Sequence, residues 1–594
     1  MSGAIGPGSG WRGAVAIYGT VALAAMVMSC VVSARDIPLV LHGGLIDPDS
    51  FMRLLRIDQG IKLGRLVNVV QRDDAGVPLV IEWSRLFDGV IVALAAPLVP
   101  WLGWHRAVLV AGVASGPLSV GLLGAGLAFA AAPLSGRSWL WAVPLIGMLL
   151  PGIRGFTAFG MIHYHIAQLA LVAFTAGFAL RAAAGAATPA WATGIAGGFS
   201  LWMMPETMPF VLLCFVALGD AWLFRPIGGA IARAGCGFLG VLIIALWLDP
   251  PHGGVAVVEI DRVSIVYAAL GIAVCAAGGW LAWLDRCRFT ARSRAALGIA
   301  GAMAAFGVWL ACYPTVALGP YGVIPARDMR VFFGNMSETQ PVHGVAAVAL
   351  LLGPGSFALI YGLNRAWRAR GLFVVAGAWL IFCTGLTLSL GLTARFVIFQ
   401  QYPAGFAACL LPVALRDVSA RWATRPQRAA FARVGMIALL LIVPYAPSFA
   451  TAATAPIRKA GPPRCTLRHI APLLRPAAGA VVLTPVEDVP ELLYRTRIIA
   501  VGSLYQHGIG GYLHAWRAWR APGNAAEPAA FVATRATYVL FCRGRQQNLL
   551  ARNGRKSSLW SMLSTRRTPA WLVLVGHRRT SGFRLYRVVG RKPD

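Results

Sequence analysis

Asp47-Pro48-Asp49-Ser50-Phe51-Met52-Arg53 puts two carboxylates and a guanidinium into seven residues, in the first polar loop after the first long apolar segment. Charged groups pressed against hydrocarbon are expensive and usually functional. Pro48 fixes the chain between the two acids. A carboxylate held at Asp47 suits a general base or a ligand for a divalent cation. Asp49 has a second reading, as the N-cap with Ser50 of a short amphipathic helix from Ser50 to Leu63. A second group is Gly160-Met161-Ile162-His163-Tyr164-His165. On a helix, His163 and His165 point about 200° apart, so only a non-helical turn lets both face one ligand. Neutral imidazoles ligate metals or relay protons, and they also satisfy helix ends. Arg154, just upstream, can pair with an anion. The third group is Thr393-Ala394-Arg395-Phe396, read as the mouth of an apolar segment that starts at Phe396. A guanidinium at a helix start opposes the dipole. Arg395 then either holds a phosphate bidentately or snorkels to lipid headgroups.

These groups must be positioned by membrane helices. The chain has 594 residues, 58% hydrophobic and 13% charged, with a mean hydropathy of +0.67. Many runs reach the ~20 apolar residues of a spanning helix, and the short alternating segments of a membrane β-barrel are absent. Spans are expected near 12–34, 107–132, 138–153, 164–181, 188–204, 207–224, 227–248, 263–284, 295–316, 344–363, 371–392, 396–416 and 430–450. The fold class is thus a polytopic α-helical membrane protein of about thirteen spans. The segment 86–103 is interrupted by Pro97 and Pro100 and reads as re-entrant or interfacial.

With the N-terminus in the cytoplasm, this count puts Arg137, Arg181, Arg225 and the clusters around Arg288, Arg368 and Arg421 inside, as the positive-inside rule requires. The loop 35–106 and everything after Ala450 then share the outer side. The net charge of +31 reads as such loops plus contacts with anionic lipid, not as nucleic-acid binding, because most of the arginines flank spans.

The tail, 451–594, differs in kind from the membrane domain, 1–450. It carries 23 Lys and Arg against 5 acids. Short apolar runs at Ala480–Leu483, Tyr538–Phe541 and Trp571–Val575 read as strands, with helices at Val489–Tyr494 and Gly511–Trp519 between them. A small soluble α/β domain is expected. An exported domain lies in an oxidising compartment, where Cys465 and Cys542 are expected to pair, the alternative being two unrelated buried thiols. His507, in a Gly-rich turn, can line a binding surface. No Walker loop, GxSxG, HExxH or dinucleotide fingerprint occurs, so bound ATP is not indicated.

Taken in order, these residues resemble the GT-C superfamily of membrane glycosyltransferases, and Asp47-Pro48-Asp49 is similar to the first-loop signature of the oligosaccharyltransferase catalytic subunit. The likeness extends to a group of bacterial GT-C proteins through Trp83-Ser84-Arg85-Leu86 with Asp88, the Gly160–His165 stretch, Glu206 before Pro209, Ala394-Arg395-Phe396, and Cys465, Leu493-Tyr494-Arg495-Thr496 and Cys542 in the tail. One departure is that the group usually carries Asp where His163 stands and Arg where Met161 stands, which weakens a carboxylate-based site.

The resemblance implies transfer of a sugar from a polyprenyl-phosphate donor to a glycan, lipid or protein acceptor at the periplasmic face of a bacterial inner membrane. Asp47 and Asp49 would be catalytic, Asp47 as general base or cation holder. Arg395 would stabilise the phosphate leaving group, and Arg53, Arg85, Arg154, Glu206 and His507 would bind substrate. A divalent cation, Mg or Mn, would rest on Asp47, His163 and His165. A transporter or flippase of a lipid-linked sugar is the reading from another class, but no internal repeat supports it. A catalytically silent scaffold is the third.

Overall fold

Pro48 can start a helix because its ring presets φ and the missing N–H is one the first turn leaves unpaired anyway. The amphipathic helix therefore runs Pro48–Lys62, and its N-cap is Asp47, whose side chain accepts from the Ser50 N–H at 2.8 Å. The cap expected at Asp49 and Ser50 thus belongs to Asp47. The computed structural model describes residues 11–322, 324–334, 336, 338–368, 373–421, 425–441, 465–523, 527–543, 557–578 and 582–591.

Among the described residues nine helices are long and apolar enough to cross a membrane, or ten if the pair Val345–Leu351 and Gly353–Arg368, bent by 49°, is one span. The thirteen expected spans shrink for identifiable reasons. Pro151 breaks 138–153 into the short helices Ala142–Leu149 and Pro151–Arg154. Helix Ala187–Met203 has 17 residues, at the lower limit for a span. The run 430–450 passes out of the described residues, as does the boundary drawn at 450.

The apolar run Leu86–Ser135 is 50 residues long. As one straight helix it would measure about 75 Å, against a hydrocarbon core of about 30 Å. It is broken at Gly103, whose φ of 68° only glycine adopts freely. Trp101 and Trp104 are exposed beside the break, where aromatic rings suit the headgroup region. The segment 86–103, expected to be re-entrant or interfacial, is thus continuous with the span that follows it. Within the membrane, helices approach closely where a side chain is missing: a Cβ on Gly235 would meet the Cys275 backbone at 2.8 Å.

The tail folds as a five-stranded sheet. The strands are β3 (Val481–Leu483), β4 (Ile499–Ala500), β5 (Tyr538–Cys542), β6 (Leu572–His577) and β7 (Phe583–Val588), with helices Val489–Arg495 and Ile509–Arg520 between strands. The order is β4-β3-β5-β7-β6; β4, β3 and β5 are parallel, and β7 and β6 join antiparallel. Cys465 and Cys542 are bonded, S–S 2.05 Å.

The sheet docks on the first loop, whose strands β1 (Val69–Val70) and β2 (Leu79–Val80) form a small hairpin. Arg72 Nη1 donates to Thr496 O at 2.7 Å and Ala500 N donates back to Arg72 O at 2.9 Å. Phe51 meets Tyr494 with ring centroids 5.6 Å apart. One apolar core runs from Phe51, Leu54 and Ile57 through Val70 and Ile81 into Leu492, Ile498 and Phe583. First loop and tail therefore share one end of the helix bundle.

Candidate active site

Ser50 and Arg53 lie three apart on one face of the Pro48–Lys62 helix, and together they hold Ile162. The Ile162 N–H donates to Ser50 Oγ at 2.8 Å, and Arg53 Nε donates to Ile162 O at 3.1 Å. The chain reaches that position through Gly160, at φ +89°, where a Cβ would strike Val40. The stretch from 161 to 163 is not helical, and the next span begins only at His165. His163 Nε2 is thereby set 2.9 Å from Asp47 Oδ1. The other Asp47 oxygen accepts from Ser50 Oγ at 2.9 Å. Asp49 accepts from the Tyr505 hydroxyl at 2.8 Å.

Ligand atoms of Asp47, Asp49 and His163 all lie within 4.8 Å of one another. The electrostatics follow from burial and proximity. Burial alone raises Asp47, but His163 and the Ser50 donors outweigh it and hold the carboxyl below its usual value. Burial pushes Asp49 up to about 6, with Asp47 and Glu338 adding to the rise and His163 opposing it. Burial works against charge on His163, yet Asp47 first, then Asp49 and Glu338, raise it to about 9. Two carboxylates and one imidazole form a donor set that suits Mn more than Mg, whose preferred ligands are oxygens and water. Ser50 and Tyr505 supply the outer hydrogen bonds that aim such ligands. The residues fit a divalent cation.

His165, expected beside His163 on the cation, turns elsewhere. Its ring lies 5.5 Å from the His163 ring, and its Nδ1 is 3.8 Å from Glu206 Oε1. Arg53, expected on substrate, is buried: Nη1 pairs with Asp88 at 2.6 Å, while Arg56 takes the other Asp88 oxygen at 2.6 Å. Arg85 is engaged likewise, with Nε 2.6 Å from Asp249 Oδ1. Asp249 also holds Arg262, Ser84 and Trp202. Both arginines brace the first loop instead of facing the site.

Arg395 ends helix Phe373–Arg395 and does not begin a span. The dipole therefore favours its charge. Its side chain is exposed and forms no ion pair among the described residues, with only the Phe396 ring beneath it at 4.7 Å. Arg154 is exposed too, on a segment packed so closely on Gln400 that Gly152 has no room for a side chain. The two free guanidinia thus sit on neighbouring segments.

Three further residues reach the site that the sequence offered only as outer-face acids or as part of a Gly-rich turn. Glu338 is brought in because Ile398 N donates to its carbonyl at 2.9 Å, and Val397 N to Gln340 O at 3.1 Å. Tyr505 comes from the tail. Glu82 lies behind it; burial pushes its carboxyl up to about 7, and its Oε2 has no hydrogen-bond partner among the described residues. His507, two residues after Tyr505, is tied to Asp261 at 2.6 Å. The only local signal for Tyr505 was the Gly-rich turn that contains it, and for Glu338 its place among the outer-face acids.

The chain superposes on the oligosaccharyltransferase of Archaeoglobus fulgidus in its apo form with a TM-score of 0.63, at 13% identity, over 90% of this chain and 70% of that one. Its complex with Zn and sulfate gives 0.63 and 13%, over 91% and 70%. The same enzyme tethered to an acceptor peptide containing the NVT sequon gives 0.59 and 11%, over 89% and 69%. At these identities the likeness is one of fold. No family model and no curated protein matches the sequence.

Proposed function

We propose that this chain is a membrane glycosyltransferase that moves a sugar from a polyprenyl-phosphate donor to a glycan, lipid or protein acceptor at the periplasmic face. The observation that carries the reading is the convergence of Asp47, Asp49 and His163 beneath a docked soluble domain, on a fold shared with an oligosaccharyltransferase. Sidedness is supported by charge. Helix Ile265–Leu284 starts beside the Asp261 loop and ends at Asp285, which pairs with Arg294. The Arg-rich loop that follows this helix thus lies at the end away from the site, and such loops mark the cytoplasm.

In the transfer, the acceptor oxygen forms a bond to the sugar anomeric carbon. The bond from that carbon to the phosphate oxygen breaks, and its electron pair leaves with the phosphate. The acceptor proton passes to a carboxylate. Asp49, raised to about 6, accepts a proton more readily than Asp47, whose charge is held by His163. A divalent cation held by Asp47, Asp49 and His163 would displace the His163 proton, take Asp49 as a ligand in place of its role as base, and neutralise the donor phosphate. Arg395 and Arg154, which form no ion pair among the described residues, are guanidinia for the same phosphate, where leaving-group charge develops.

Asp47→Ser tests the proposal without unmaking the helix, because serine keeps the N-cap. With radiolabelled sugar on a polyprenyl-phosphate donor, the variant should lose transfer at least ~100-fold, a loss of the size seen when one group that acts in the transition state is removed. Transfer at the wild-type rate would take Asp47 out of the chemistry and remove the main support for the reading.

A further inference from the structure

Next to the cation cluster, a second polar nest forms where three spans begin. Helix His165–Ala182 opens on His165, and Pro205-Glu206-Thr207 leads into helix Met208–Phe224. Helix Gln401–Arg421 opens on Gln401. Glu206 lies among them. The Tyr402 hydroxyl donates to Glu206 Oε1 at 3.3 Å, and His165 Nδ1 is 3.8 Å from the same oxygen. Three helix N-termini favour the carboxylate there. Gln168 reaches the same corner, with Nε2 donating to Met204 O at 3.4 Å.

Much of this nest is unsatisfied. His165 is 3% exposed, and Gln168 and Gln401 are 0% exposed. Yet His165 Nδ1, Gln168 Oε1 and both amide atoms of Gln401 have no hydrogen-bond partner among the described residues. The Gln401 amide lies beside the Tyr402 hydroxyl, outside hydrogen-bond geometry. Buried polar atoms without partners are destabilising, and a group of them in one place calls for a ligand. Aromatic faces enclose the nest: Phe210 stacks on Tyr402 at 4.3 Å, and Phe156 packs on His165 at 4.6 Å.

We infer that this nest is the subsite for the sugar ring of the lipid-linked donor. The assignment rests on the sugar-transfer reading and gives it a specificity site. A sugar hydroxyl both donates and accepts, and the nest offers both kinds of partner. Glu206, His165 Nδ1 and the amide oxygens accept, and the Gln401 amide N–H donates. The apolar faces of a sugar ring match the aromatic walls. An isoprenoid tail would leave every one of these atoms unpaired, and a phosphate would meet the Glu206 carboxylate. The adjoining His163 ring, 5.5 Å from His165, places the nest beside the cluster assigned to the donor phosphate. The Glu206 side chain is 15% exposed, so the nest opens outward at that residue.

The experiment compares binding of bare farnesyl phosphate with its mannosyl, glucosyl and arabinofuranosyl esters, using purified full-length protein and native mass spectrometry. The wild type should hold at least one ester about tenfold more tightly than the bare lipid, the worth of one or two hydrogen bonds to charged or buried partners. Glu206→Gln and Gln401→Leu should each bring that ratio to within about twofold, with affinity for bare farnesyl phosphate unchanged as the control for folding. An unaltered ratio in both variants would overturn the assignment, as would a wild type that does not distinguish any ester from the bare lipid. Failure to bind even the bare lipid would instead sink the donor reading, and this subsite with it.

Discussion

Tyr505 donates its hydroxyl hydrogen to Asp49 at 2.8 Å across 456 positions of sequence. This contact ties the soluble domain to the acids of the candidate site. Trp83 packs edge-on against the Tyr505 ring at 5.3 Å, so the ring stays in place if the hydroxyl is removed. Tyr505→Phe should therefore leave folding intact and lower sugar transfer by about tenfold, the usual worth of one hydrogen bond to a charged partner. Steady-state kinetics with a labelled donor measure this. An unchanged rate would make Tyr505 a packing residue only.

Arg395 is exposed and carries no ion pair among the described residues, so its replacement should not disturb the fold. Arg395→Ala should raise KM for the polyprenyl-phosphate donor by about tenfold or more, with Lys restoring part of the loss because it keeps the charge but not the planar fork. A KM unchanged in both variants would remove the guanidinium from the donor site.

Glu82 makes stability depend on pH in a definite direction. Its folded carboxyl sits at about 7 against an ordinary 4.5. The unfolded chain therefore gives up this proton first as pH rises, and the folded state binds more protons between those values. The Glu82 contribution to stability should fall from about pH 4.5 to about 7 and level off above. Glu82→Gln should flatten that slope in thermal unfolding curves recorded across the window. A slope identical to the wild type would place the titration elsewhere.

Asp88 is the sole acid paired with two buried guanidinia, those of Arg53 and Arg56, among the described residues. Asp88→Asn leaves both charges buried without a counter-ion, which costs roughly 3–5 kcal/mol. The variant should unfold well below the wild type in detergent, and transfer should be lost with the fold. Wild-type melting would show that the pair does not brace the first loop.

The apolar runs, the amphipathic helix after Asp47 and three of the five strands of the tail were legible in the sequence, because each depends on local periodicity or composition; β4 and β7 were not expected, and the Cys465–Cys542 pair followed from the expected compartment. Span number was less so: a proline at 151 and a glycine at 103 decide whether an apolar run is one helix or two, and hydropathy does not register either break. The acids of the first loop and His163 were legible as candidates, and Asp47 with His163 is the pair that the turn at Gly160 brings together. Arg53 and Arg85 looked no different from Arg395. Only the fold shows that Asp88 and Asp249 neutralise the first two while the third stands free. Glu82, Glu338 and Tyr505 enter the site through backbone pairing and docking over tens to hundreds of residues, which no spacing in the chain records. Sequence by itself determined which segments prefer hydrocarbon and which side chains can carry charge, since both are properties of residues and near neighbours. Which charges remain uncompensated, and which polar atoms lack a partner, was decided by tertiary structure, because compensation is a matter of distance in space.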